Sequence, residues 1–267
     1  MAAGGQTLDI FGFSPFDGTL AWAVALVALA HFAGFLIRGA FGFGSNLPII
    51  ILTTWALGPH HAIILVILTA TFAQAHLFPQ GFKRADWGLA RRLTVGVYVG
   101  IGLGTYVFAS LKAEALAPIL GALVILIVLM DRFDAIGRLG RVVDLSGRAL
   151  VAGLSVVSGF VGTVSGGGGI YFLAPFLRHM CPTPVGFRST SLVVSGIFML
   201  GRALFVLIAG MIDLETVIEA LLLMPVVLLG GWIGGRWFRK ADAARFFRGL
   251  SLMLLAGAVS LIVKSLL

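Results

Sequence analysis

The chain has 267 residues, of which 59% are hydrophobic and only 11% charged, and its mean hydropathy is +1.07. An ordinary soluble domain carries about 25% charged residues, so this composition excludes a water-soluble globular protein and a disordered one; such a chain must turn apolar side chains to lipid. The net charge of +8 reads as membrane topology, because basic residues collect in cytoplasmic loops, and no nucleic-acid partner is expected.

The single cysteine, Cys181, excludes a disulfide framework and a Cys-rich metal centre, so no metal or other cofactor is expected. Residues 1–18 hold Asp9 and Asp17 and neither Lys nor Arg. They lack the basic start of a secretory signal, so the first apolar segment is expected to be retained. Apolar runs follow at 19–37, 47–57, 60–78, 93–111, 115–130, 148–164, 170–180, 184–210, 214–235 and 247–266. Most reach the roughly 17–25 residues of a spanning helix, and they are too long and continuous for barrel strands. An all-α polytopic membrane protein is predicted.

Two runs, 47–57 and 170–180, are only half a span. Each follows a glycine-rich break: Gly39-Ala40-Phe41-Gly42-Phe43-Gly44-Ser45-Asn46 and Ser165-Gly166-Gly167-Gly168-Gly169. Glycine there permits backbone angles a helix cannot hold. Three loops are basic. Loop 79–92 has Lys83, Arg84, Arg91 and Arg92; loop 131–148 has Arg132, Arg138, Arg141 and Arg148; loop 236–248 has Arg236, Arg239, Lys240, Arg245 and Arg248. These are expected to be cytoplasmic. Helix 60–78 then starts outside, and segment 19–57 leaves and returns outside as a hairpin. Segment 148–180 is a hairpin from the inside. Both termini are expected to be periplasmic, in a bacterial inner membrane.

The halves match at a nearly constant offset. Residues 19–130 form repeat 1, residues 148–266 form repeat 2, and 131–147 is the cytoplasmic connecting loop of a single transmembrane domain covering 1–267. Each repeat is a broken Gly-rich helical hairpin followed by three transmembrane helices, an odd number of crossings, so the two repeats are inverted. Inverted repeats with broken helices in corresponding positions mark transporters.

An opened helix frees N–H groups at the start of the next half-helix, and these favour an anion. Gly42, Gly44, Ser45 and Asn46 in the first break, and Ser165, Gly166, Gly167, Gly168 and Gly169 in the second, are the candidate lining. The alternative is that the glycines only permit close helix packing. Arg202 lies well inside the run 184–210 with no carboxylate in that stretch. A charge so placed faces a partner or a wet cavity, here a transported anion, or else binds backbone carbonyls at a helix break. Arg38 precedes the first break and faces either the site or the surface. Arg178 and Arg188 read as surface anchors. Glu219 is the only carboxylate beyond the first two residues of a predicted span. The scarcity of acids argues against a carboxylate proton relay. His31, His60, His61 and His76 are conceivable proton carriers, although His60 and His61 have a plainer reading at a helix start. Coupling to a proton or another ion stays open.

The segments Phe35-Leu36-Ile37-Arg38-Gly39-Ala40-Phe41-Gly42-Phe43-Gly44 and Ser158-Gly159-Phe160-Val161-Gly162-Thr163-Val164-Ser165-Gly166-Gly167-Gly168-Gly169-Ile170, with Pro175 following, resemble the TauE/SafE sulfite-exporter family, also called the toluene-sulfonate uptake permeases. Arg188-Ser189-Thr190-Ser191-Leu192 is similar to the Thr-Ser pair at the start of that family's next helix. The first segment departs in having Ser45-Asn46 where more glycine is usual. The resemblance implies an inner-membrane carrier for small sulfur-containing or organic anions such as sulfite or sulfoacetate.

The reading is therefore a secondary transporter working by alternating access on a small anionic substrate, and not an enzyme. Two other readings remain. An anion channel shares nearly all these residues and differs in flux kinetics. An intramembrane serine hydrolase would use Ser165 as nucleophile and a histidine such as His31 as base.

Overall fold

The computed structural model describes residues 14–41, 44–133, 138, 147–167, 169–237 and 259. The expected last span at 247–266, the basic loop beyond Trp237, most of the connecting loop 131–147, and Gly42 and Gly168 lie outside the described residues, apart from isolated positions. The elements are α1 (Ala21–Phe41), α2 (Asn46–Leu57), α3 (Pro59–Phe82), α4 (Trp87–Ser110), α5 (Ala113–Arg132), α6 (Arg148–Val164), α7 (Gly169–Met180), α8 (Pro184–Ile208) and α9 (Leu214–Trp237). Helices α1, α3, α4, α8 and α9 are long and apolar enough to cross a membrane. The chain is thus an all-helical multi-pass membrane protein.

Local chemistry sets the boundaries. Helices α3 and α8 open on Pro59 and Pro184, where the missing proline N–H costs no helical hydrogen bond. Helix α4 begins at Trp87, six residues before its apolar run, because the Asp86 carboxylate accepts the Leu89 N–H at 2.9 Å. Asp213 does the same for α9, accepting the Thr216 N–H at 2.6 Å. Such caps satisfy donors that the first helical turn leaves unpaired.

Helix α1 ends at Phe41 and α2 starts at Asn46; α6 ends at Val164 and α7 starts at Gly169. The corresponding ends, Phe41 with Val164 and Asn46 with Gly169, are each 123 residues apart, and both α2 and α7 have 12 residues. Gly44 and Gly166 take φ of +97° and +73°, a region closed to most side chains. Gly39, by contrast, remains helical. A Cβ there would run into the Gly231 carbonyl oxygen of α9, so this glycine serves close packing.

The start of α1 (Trp22), the end of α2 (Trp55, Leu57), and the starts of α3 (His61) and α9 (Glu219) line one cavity with residues 16–20. Helices α1 and α2 therefore enter and leave at the same end of the bundle, as a hairpin. At the opposite end the Asp86 N–H donates to Thr190 Oγ1 of α8 at 3.0 Å, and Gly81 of α3 abuts the Ser189 carbonyl.

Helices α3 and α8 pack against each other at the centre. About two thirds of α3's span is buried (67%), against 39% for α9, whose remainder faces outward. Two tight seams flank this centre. On α4, Gly96, Gly100 and Gly104 sit against α6; a Cβ at Gly104 would lie 2.9 Å from the Phe160 carbonyl oxygen. On α9, Gly230 and Gly234 lie against Phe32 and Leu36 of α1. In lipid there is little hydrophobic drive between helices, so close backbone approach through small residues supplies the attraction.

Candidate functional site

The two breaks meet. Arg38, in the last turn of α1, is 2% exposed. Its Nη1 donates to Ser45 Oγ and Asn46 Oδ1, both at 3.5 Å, and its Nη2 to Oε1 of Gln74 on α3. Gln74 in turn donates to the Leu192 carbonyl of α8 at 2.7 Å. Asn46 opens α2. Its Oδ1 accepts the Ser45 hydroxyl at 2.7 Å, and its Nδ2 reaches the Gly166 carbonyl at 3.5 Å. At Gly167 any Cβ would collide with the Asn46 side chain. The second break thus lies directly on the first residue of α2.

Between them is a cavity of about 10 Å³, lined by Arg38, Gly44, Asn46, Gly167, Ser195 and Met199 among others. That is space for roughly one water. The electrostatics are one-sided. Among the described residues neither Arg38 nor Arg202 forms an ion pair with a carboxylate.

Arg202 is fully buried on α8. Its Nη1 donates to the Gly166 carbonyl at 2.8 Å, while Nε and Nη2 have no partner among the described residues. It binds a carbonyl at the break, as the structural alternative for this residue expects, and Arg38 is the arginine that lines the cavity. The remaining predicted positions divide. Ser165 turns its hydroxyl back to the Val161 carbonyl at 2.6 Å. Gly169 packs on α6, where the Ser158 hydroxyl donates to its carbonyl. Gly44, Ser45, Asn46, Gly166 and Gly167 gather around the two arginines. Arg188 donates to the Gly39 carbonyl and Gln80 Oε1, both at 3.2 Å, and Arg178 sits 5.8 Å over the Phe187 ring.

A family model described as "Sulfite exporter TauE/SafE" matches residues 26–261, a stretch that includes both breaks and both arginines. The chain belongs to the TauE/SafE family. That family comprises membrane transporters of sulfur anions such as sulfite. No curated protein and no solved structure was found to match the chain.

Two contacts in this TauE/SafE chain were not read from the sequence. Gln74 joins Arg38 to α8, and its signal was the one amide within the apolar run 60–78. Glu219 pairs with Nε2 of His61, at the far end of the bundle, across 158 residues of sequence. The histidine named as a possible catalytic base, His31, gives its Nδ1–H to the Val27 carbonyl at 2.8 Å. With Ser165 turned to Val161, the hydrolase reading gains nothing from this arrangement.

Proposed function

We propose that this chain is a secondary carrier that moves a small sulfur oxyanion, such as sulfite or a short sulfonate, across the bacterial inner membrane by alternating access. The anion binds where the two breaks meet. Arg38 supplies the charge, and N–H groups at the starts of α2 and α7 supply further donors. One observation carries this reading: a buried guanidinium lines a cavity between two broken helices with no carboxylate paired to it among the described residues. A buried charge without a partner is costly, and a transported anion is the natural complement. Arg202 holds the second break through its Nη1, while its Nε and Nη2 have no partner among the described residues.

The packing supports the inverted-repeat reading. Helix α1 lies on α9 as α6 lies on α4, α1 meets α2 as α6 meets α7, and α3 lies on α9 as α8 lies on α4. Rocking one repeat against the other would open the site to each side in turn. The small cavity suits an occluded state that widens to admit an oxyanion, rather than a standing pore. Both termini on the periplasmic side, as the loop charges require, complete the proposal.

The test is thermal stabilisation of purified protein by sulfite, sulfate, thiosulfate, sulfoacetate, taurine and lactate, followed by flux into proteoliposomes. A bound ligand raises Tm with the logarithm of its concentration over Kd. Sulfite or one sulfonate is expected to stabilise and to show saturable counterflow. Charge-assisted hydrogen bonds contribute about 1.5–3 kcal/mol each, so Arg38→Ala is expected to weaken binding roughly 10- to 100-fold. Arg38→Lys keeps the charge but loses the planar fork, and is expected to fall between. Unchanged affinity in folded Arg38→Ala protein overturns the site. Stabilisation by none of these anions overturns the anion reading.

A further inference from the structure

At the end of the bundle where α1, α3 and α9 begin lies a cavity of about 500 Å³, lined by residues 16–20, the start of α1, the end of α2, His61 and Glu219. Glu219 is 1% exposed. One carboxylate oxygen accepts the Phe16 N–H at 2.8 Å, and the other takes Nε2 of His61. Phe16 holds φ of +60°, a strained setting for a bulky residue, and such strain persists only where surrounding contacts enforce it. A single buried carboxylate therefore ties three parts together: the strap 14–20, α3 and α9.

We propose that His61 and Glu219 form a proton-binding site that latches this mouth. With His61 neutral, its Nε2–H donates to the Glu219 carboxylate. One proton from water then adds at Nδ1, giving an imidazolium beside a carboxylate. The proton converts a hydrogen bond into an ion pair and tightens the hold of α3 on α9 and of Glu219 on the strap. Proton release loosens both. Further carboxylates surround the pair: Asp17 of the strap and Glu215 line the cavity, and Asp213 stands just before α9. The neighbouring His60 stacks on Phe108 of α4, with ring centroids 5.0 Å apart. The lining residues of α1 and α2 (Trp22, Ala23, Trp55, Ala56, Leu57) carry no titratable group. This proposal goes beyond the transport reading and does not depend on which anion is carried.

The experiment needs no substrate. A nitroxide is placed at Leu20→Cys in a Cys181→Ser background, and its mobility is followed from about pH 5 to 9, the window in which histidine titrates. In parallel the imidazole signals of isotope-labelled protein are recorded, with His61 assigned by its loss in His61→Gln. The label is expected to loosen as pH rises, with the same midpoint as the His61 ring. In His61→Gln, whose amide still donates to Glu219 but binds no proton at this pH, the label transition is expected to vanish. In Glu219→Gln the ring is expected to titrate without the label following, and in His60→Gln the transition is expected to remain. A transition that survives in His61→Gln overturns the proposal. So does an unvarying label while the ring titrates, or a ring that does not titrate in this window.

Discussion

Two arginines, equally buried, do different work because of what each touches. Arg202 is spoken for in part by the Gly166 carbonyl, whereas Arg38 borders the cavity with only neutral oxygens around it. Sequence alone offered either arginine as the source of charge. Arg202 stands out in an apolar run, and nothing local shows that its guanidinium meets a carbonyl 36 residues away. Gly167 is the tightest residue at this contact. Gly167→Ala is expected to lower stability by about 1–3 kcal/mol, the usual range for overpacking, read as a fall in Tm. Gly153→Ala, where an added Cβ meets nothing within 4 Å, is expected to leave Tm unchanged or raise it slightly.

Helices and their ends were largely legible. Hydropathy placed α6 at its observed bounds and both half-helices to within a residue at each end, because chain length in lipid leaves few options. The misses have physical causes. The first break was drawn from Gly39, yet α1 continues to Phe41 because Gly39 packs on α9. Helix α4 begins early because Asp86 caps it and its first turns carry arginines that hydropathy does not count as helical. Contacts such as Gln74 with Leu192 and His61 with Glu219 join distant segments, and no periodicity encodes such pairings.

Caps also respond to pH. Burial pushes the Asp213 carboxyl up, but the Thr216 N–H and hydroxyl, with the charge of His61 nearby, hold it below its ordinary value overall. A group so depressed stabilises the fold above its unfolded pKa, and that contribution is lost as pH falls through the folded one. Asp213→Asn keeps a capping oxygen without the charge. Its Tm is expected to depend less on pH below the usual carboxylate range than that of the unaltered chain, in matched thermal scans. Loss of the cap in Asp213→Ala is expected to cost about 1 kcal/mol at neutral pH.

In the whole molecule the tight seams join the first half of the chain to the second. Helix α1 finds its main partner in α9 and α6 finds its partner in α4, so each half completes the other. A protease site placed within 139–146 is therefore expected to yield two fragments that remain together on size-exclusion chromatography in detergent. Either half expressed alone is expected to be degraded. Fragments that separate after cleavage would show that the seams contribute little to cohesion.

The α1–α9 seam also bears on how the protein is made. The two helices begin at Ala21 and Leu214, 193 residues apart. Ribosomes add roughly 5–20 residues per second, so α1 waits about 10–40 s before its partner exists. For that interval the face of α1 that carries Phe32, Leu36 and Gly39 is held in the bilayer without the helix that will cover it. Among the described helices, folding is thus closed by α9, and an early stall in synthesis would leave α1 as the exposed species for membrane quality control to recognise.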